Sequence, residues 1–358
     1  MDERYTPIIS EEERQARRAQ RAAARRKRQQ ERRRQQLRQL LPAGALALVM
    51  VILLSAWGLQ RKPAAAAQPE TPAPQVLPEE PVPPEEPAGP YAAEATAATV
   101  QLGDSIDSSH AVLIDLEAGT ILAEKASGTV VSPASMTKIL TLLVAAEHVT
   151  NLDDTFTMTI DITDYCFVHG CSVVGLEIGE TVSVRELLYG TILPSGADAA
   201  LGLAYYVSGS HEAFVELMNA KAAELGLSDT ARFSNCVGIY DENNVCTVYD
   251  VAMILKAAMD DPLCREILNA RTYETAPTPE HPEGQVLSNW FLRRIEDRFT
   301  GDFQIVGAKT GYVVQAGSCA ASCGQAGDGK RYLCVTADAP SSWRAIYDHT
   351  ALYQTYCT

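Results

Sequence analysis

Ser135 and Lys138 stand three residues apart in the run ASMTKILTLLVAAEH, residues 134–148. On a helix that spacing puts both side chains on one face, one turn from each other. A serine hydroxyl is a weak nucleophile and needs a base at hand. A lysine amine serves as that base once burial or a second cation has lowered its pKa. The start of a helix adds backbone N–H groups suited to a developing oxyanion. Ser-x-x-Lys alone is equally an ordinary amphipathic helix start, with Ser135 or Thr137 near the cap and Lys138 in water. Lys309-Thr310-Gly311, inside the strand-like run VGAKTGYVV, narrows the choice. A strand lysine beside Ser135 and Lys138 supplies a second cation that depresses the pKa of Lys138, and a point charge for a substrate carboxylate. Thr310 can donate to the same carboxylate, and Gly311 lets a substrate backbone approach the strand edge. Taken alone, this run is an edge strand protected by a lysine. Ser195-Gly196 follows a proline and precedes a helical run, so Ser195 falls on an exposed turn, where capping a helix is its plainest role.

The elements around these residues follow from periodicity. HAVLIDLE and TILAEK, within residues 110–125, are strand-like and meet at Ala118-Gly119, which predicts a hairpin. Apolar residues at helical spacing predict helices over 134–148, 183–190, 197–207, 211–225 and 248–259. VGAKTGYV, AGSCAASCG and KRYLCVTADA read as three successive strands, with the turn before the last at Gly327-Asp328-Gly329, and SWRAIYDHTALYQTY as a closing helix. Two strands, a helical middle, three strands and a helix fit an α+β arrangement: an antiparallel sheet covered by helices, with the helical insert as a second lobe.

In this order, Ser-x-x-Lys, a Ser-x-Asn-type turn and Lys-Thr-Gly match the penicillin-binding set. The chain resembles the D-alanyl-D-alanine carboxypeptidases, the low-molecular-mass penicillin-binding proteins. The likeness extends through VVSPASMTKILTLLVA, VSVRELLYGTILPSGADAA, MNAKAAELGLSDTARFSNCVGIYDENN and GAKTGYVVQAGSC, covering about residues 105–358. It implies the penicillin-binding/β-lactamase-like transpeptidase fold for residues 91–358 and removal of the terminal D-alanine of peptidoglycan stem peptides through an acyl-enzyme, with β-lactams as covalent inhibitors. By position, Ser135 is the nucleophile, Lys138 the general base, and Ser195 a bridge for protons. Lys309 and Thr310, with Gly311, hold the substrate carboxylate. The backbone N–H groups of Ser135 and Tyr312 form the oxyanion hole. Arg344 is either a further carboxylate ligand or a surface ion pair. No metal or organic cofactor is implied. One departure stands out: the second motif reads Ser195-Gly196-Ala197, without the family's usual asparagine. The rivals are a serine β-lactamase, which shares the fold and motif logic, and a protein that is acylated or binds wall peptide but turns over poorly.

Charge and hydropathy place this domain. Residues 1–39 carry 13 Lys/Arg and 6 Asp/Glu, a net +7, and the remainder carries −22 of the chain's total −15. An acidic body repels a phosphate backbone, which excludes a nucleic-acid binder. Leu40 to Leu59 is 20 residues without a charge, enough at ~1.5 Å per residue for a ~30 Å hydrocarbon core. The basic run lies on its N-terminal side, so residues 1–39 are expected in the cytoplasm, 40–59 as one transmembrane helix, and the catalytic domain outside. A cut in the Ala64–Ala67 region is the competing reading, and the long basic region argues for retention. Residues 60–90, rich in proline and glutamate, form an extended spacer. Many relatives carry a further β-rich domain and a C-terminal amphipathic anchor, and the N-terminal segment is expected to take that anchor's place. All nine cysteines follow residue 165. On the oxidising side of a membrane, Cys236 and Cys246 can close the loop CVGIYDENNVC, and Cys166 and Cys171 flank a second short loop. Cys319, Cys323 and Cys334 lie in apolar strand-like runs and read as small core residues. The expected topology is checked by adding protease to intact protoplasts: the catalytic domain is digested and a tag at Met1 is spared. Protection of the catalytic domain would contradict it.

Overall fold

The computed structural model describes residues 91–299 and 301–357; the basic tail, the Leu40–Leu59 segment and the 60–90 spacer lie outside the described residues. Among the described residues no helix is long and apolar enough to cross a membrane. The framework is a six-stranded sheet of β1 (Glu94–Gln101), β2 (His110–Asp115), β3 (Thr120–Lys125), β8 (Gln304–Val313), β9 (Gly317–Gln325) and β10 (Arg331–Ala339). Its order is β1-β3-β2-β10-β9-β8. β1 runs parallel to β3, and every other pair is antiparallel. Two short hairpin-like pairs lie outside it: β4 (Thr155–Thr157) with β5 (Thr181–Ser183), and β6 (Thr272–Glu274) with β7 (Val286–Ser288).

Strand alternation divides the core in two. Val112 and Ile114 of β2, with Leu333 and Val335 of β10, face the large cluster shared with the helical lobe. Ala111 and Leu113, with Tyr332 and Cys334, face the opposite cluster. This is the period-2 geometry of a sheet buried on both faces. The lobe contains α1 (Thr137–His148), α2 (Ile160–His169), α3 (Val184–Ile192), α4 (Ala197–Ser208), α5 (His211–Glu224), α6 (Val248–Asp260) and α7 (Pro262–Asn269). The other face is covered by α8 (Leu292–Ile295) and α9 (Ser342–Tyr356).

Helix ends follow side-chain chemistry. Ser183 and Glu186 form a capping box on α3, and Thr247 and Asp250 form one on α6, each satisfying two backbone donors that the helix leaves open. Helix α2 ends at Gly170, with φ 64°. There Gly170 N–H donates to Phe167 O and Cys171 N–H to Cys166 O, the paired bonds of a Schellman turn.

The expected Cys236–Cys246 bridge is absent: both are free, buried thiols. Cys246 is held in a backbone bridge to Val131, whereas the Cys236 thiol faces Ala200 O at 3.9 Å in α4. The two residues are committed to different neighbours. Cys319, Cys323 and Cys334 are buried strand residues, as their apolar runs predict.

Asp348 in α9 ties the closing helix to the segment that leads into β2. It accepts from Asp107 N–H at 2.9 Å, Ser108 N–H at 2.8 Å and the Ser108 hydroxyl at 2.5 Å, across some 240 positions of sequence. The carboxylate is 3 % exposed, so removing it strands buried donors. Asp348→Ala is expected to lower the unfolding free energy by ~2–4 kcal/mol, read by denaturant unfolding. A change within ~0.5 kcal/mol, the usual range for a surface substitution, would contradict this.

Candidate active site

Ser135 lies in a 3₁₀ turn, Ala134–Met136, immediately before α1, rather than inside a regular helix. The turn is strained. Ala134 has φ 48°, a region non-glycine residues rarely occupy. Two glycines allow it. A Cβ on Gly238, itself at φ 72°, would fall 2.0 Å from Ala134 O and 2.9 Å from Ser135 N. A Cβ on Gly311 would fall 3.0 Å from both Ala134 Cβ and Ser135 N. Strand β8 and the 235–239 loop thus close on the Ser135 turn from two sides. Gly311 here makes room for the nucleophile's own backbone, a role the strand-edge reading of the motif did not foresee.

Lys138, on the first turn of α1, points back so that Nζ is 3.2 Å from Ser135 Oγ. Nζ also donates to Val237 O at 2.6 Å. The side chain is 2 % exposed, and burial lowers its pKa to about 8, against weaker opposing pulls from Cys171, Cys236, Cys166 and Asp198. A neutral amine has two hydrogens and one lone pair. In the neutral form one hydrogen stays on the Val237 carbonyl, and rotation about the Cε–Nζ bond can turn the lone pair toward Ser135.

Lys309 of β8 is likewise 2 % exposed. Its Nζ donates to Ser195 Oγ at 2.8 Å and to Thr310 O at 2.8 Å. Burial first, then repulsion by Lys138, holds it well below the usual lysine range. Lys309 was expected to depress Lys138. Burial is the larger cause at both amines, and the repulsion between them is mutual, each cation disfavouring the charging of the other. Ser195 has φ 61° and is half-buried rather than openly exposed. Gly196, which follows it, is the N-cap of α4.

β8 is the sheet's edge strand. Ala308 O accepts from Asn289 Nδ2 at 3.1 Å and Thr310 O from Lys309, so alternate residues 308, 310 and 312 present backbone groups to the unpaired edge. Tyr312 N–H therefore opens on the unpaired edge, while its ring is exposed. Arg344 stands outside this hydrogen-bonded cluster. It is an exposed residue on the first turn of α9, 3.2 Å from Asp107 Oδ2.

Three positioning residues escaped the motif reading. Asn235, buried, accepts from Val237, Gly238 and Ile239 N–H through Oδ1 and donates to Ile239 O, shaping the loop that offers Val237 O to Lys138. Asn244 Nδ2 donates to Thr137 Oγ1 at 3.3 Å. Asp198 binds the segment at 174–176. Asparagine at an irregular turn was the available signal for the first two. Ala197, the departure in the second motif, is 1 % exposed and packs its methyl into the main core.

The sequence profile of the D-alanyl-D-alanine carboxypeptidase family matches residues 94–341. D-alanyl-D-alanine carboxypeptidase DacF of Bacillus subtilis (strain 168) is 37 % identical over 150 residues, covering 42 % of this chain and 38 % of DacF. DacC of Escherichia coli (strain K12) is 36 % identical over 177 residues, covering 48 % of this chain and 43 % of DacC. The chain thus spans about two fifths of the length of either relative. The crystal structure of the Streptomyces K15 DD-transpeptidase superposes with a TM-score of 0.63 at 28 % identity, covering 70 % of this chain and 97 % of that one. With two lysine–serine pairs set between a helical lobe and an edge strand, and a family profile spanning most of the chain, this protein belongs to the D-alanyl-D-alanine carboxypeptidase family.

Proposed function

We propose that the chain is a serine-type D-alanyl-D-alanine carboxypeptidase acting on peptidoglycan stem peptides, held at the membrane by the Leu40–Leu59 segment with residues 91–358 outside. The observation that carries the reading is the buried Lys138 amine 3.2 Å from Ser135 Oγ, with its pKa lowered to about 8. The names of the relatives, carboxypeptidases and a DD-transpeptidase, agree with acyl transfer from such a site.

In this reaction Ser135 Oγ attacks the carbonyl of the penultimate D-alanine and its proton passes to Lys138 Nζ. Ser135 N–H and Tyr312 N–H stabilise the oxyanion. The C–N bond breaks, and the departing amine takes a proton relayed from Lys138 through Ser195. Water then hydrolyses the Ser135 ester. Lys309 and Thr310 receive the terminal carboxylate at the β8 edge. An arriving carboxylate raises the proton affinity of Lys309, so binding and protonation are linked there. Arg344 serves as an outer ligand, since an exposed ion pair such as that with Asp107 is worth only ~0–1 kcal/mol and exchanges readily. β-Lactams acylate the same serine. Ala197 favours one second reading: acylation with slow turnover, because its methyl cannot donate to the substrate carbonyl.

A fluorescent penicillin is expected to label residues 91–358 at Ser135, with labelling abolished by Ser135→Ala, and free D-alanine is expected from a bis-D-alanine peptide. An adduct mapped to any other residue would overturn the site. Labelling without D-alanine release would select the slow-turnover reading.

A further inference from the structure

Asp198 is a carboxylate 2 % exposed on the first turn of α4, three residues after Ser195. Oδ1 accepts from Val174 N–H at 2.8 Å and from its own neighbour Ala199 N–H at 3.0 Å. Oδ2 accepts from Gly175 N–H at 2.8 Å and Leu176 N–H at 3.1 Å. Four peptide donors surround it, and no ion pair to it is present among the described residues. Burying a charge is costly unless every lone pair is used, and here peptide dipoles use them. Residues 172–176 have neither helix nor strand partners, so their N–H groups need such an acceptor.

This clasp bears on the residues that directly follow Ser195. Ala197 N–H donates to Ser172 O at 2.8 Å and Gly196 N–H to Gly190 O at 2.9 Å. The space is closed at Gly196, where a Cβ would meet Val174 Cγ2 at 2.6 Å, Gly190 O at 2.8 Å and Asp198 Oδ1 at 2.9 Å. Ser195 itself holds φ 61°, a conformation that persists only when its surroundings over-determine it.

The geometry points to Asp198 as a positioning residue for the acyl-transfer reaction: by clasping 174–176 it keeps the strained Ser195 turn, and hence the Ser195 hydroxyl, within reach of Lys309. This rests on the reading of Ser195 as a proton relay given above. The carboxylate touches neither substrate nor reacting atoms and acts through Ser195. Asparagine at 198 is nearly isosteric but turns an amide N–H₂ toward peptide donors that need an acceptor.

The test is a double-mutant comparison of single-turnover acylation by a fluorescent penicillin, using the full chain, with thermal unfolding and amide exchange at 174–176 recorded for each variant. Asp198→Asn is expected to slow acylation about tenfold, since sub-ångström misplacement of a reacting group is costly, and to speed exchange at Val174, Gly175 and Leu176. In a Ser195→Ala background the same substitution is expected to slow acylation less than about twofold, because the group it positions is already gone. Asp198→Glu, which keeps the charge, is expected to fall between parent and asparagine variant, and carries the same comparison if Asp198→Asn does not fold. An equal fold-loss in both backgrounds, as a purely structural role predicts, would overturn the inference. So would acylation by Asp198→Asn at the parental rate. A parent that is not labelled at Ser135 would instead overturn the proposed reaction and this inference with it.

Discussion

Two lysine amines, Lys138 and Lys309, are buried beside two serine hydroxyls, and the rest of the structure is arranged around the cost of keeping them there. Among the described residues neither amine is hydrogen-bonded to a carboxylate; their partners are Ser135, Ser195 and two backbone carbonyls. Desolvation therefore outweighs the weaker, more distant pull of Asp198 on Lys138, and the charged form is disfavoured in both. That instability suits the chemistry: an amine forced toward neutrality is a base, and a second amine starved of charge gains most from an arriving carboxylate. Burying an ion pair instead would have fixed both lysines as cations and removed the base.

Holding those groups requires backbone that local propensity disfavours. Ala134 and Ser195 both adopt positive φ without being glycine; the first precedes the Ser135 hydroxyl and the second carries the other hydroxyl itself. The strain is held by packing from outside: Gly238 and Gly311 close on the Ala134–Ser135 peptide, and the contacts at Gly196 close on Ser195. The sheet supplies the rigid side of this arrangement through β8. The helical lobe supplies the other through α1 and α4. Asp348 and the two-sided core hold β2 and α9 together behind them.

Where periodicity or motif spacing carried the signal, sequence reading and structure agree. The β2–β3 hairpin, strands β8 to β10, and helices α1, α3 to α6 and α9 fall where alternation or helical spacing put them. β1 was hidden because EATAATVQ is mostly exposed, with no apolar alternation to betray a strand paired on one edge. Helix α2 was hidden for a related reason: its ten residues bury only Ile162, Thr163 and Cys166, and its boundary is set by Gly170. Ser135, Lys138, Ser195 and Lys309 were legible because motif order tied them together. Asn235 and Asp198 were not, because their work consists of bonds to irregular backbone, which leaves no period in the sequence. The Cys236–Cys246 expectation failed because loop length says nothing about which way two side chains face.

Whether burial leaves Lys138 able to act as a base near neutrality, with Lys309 held down beside it, is read by ¹⁵N NMR titration of the two Nζ groups, assigned with Lys138→Arg and Lys309→Arg. Lys138 is expected to titrate near pH 8 and Lys309 well below the ordinary lysine value of ~10.4. Lys138 would then lose its proton, and gain its function as a base, as pH rises through about 8. Both groups titrating at the ordinary lysine value would show that burial does not make Lys138 a base.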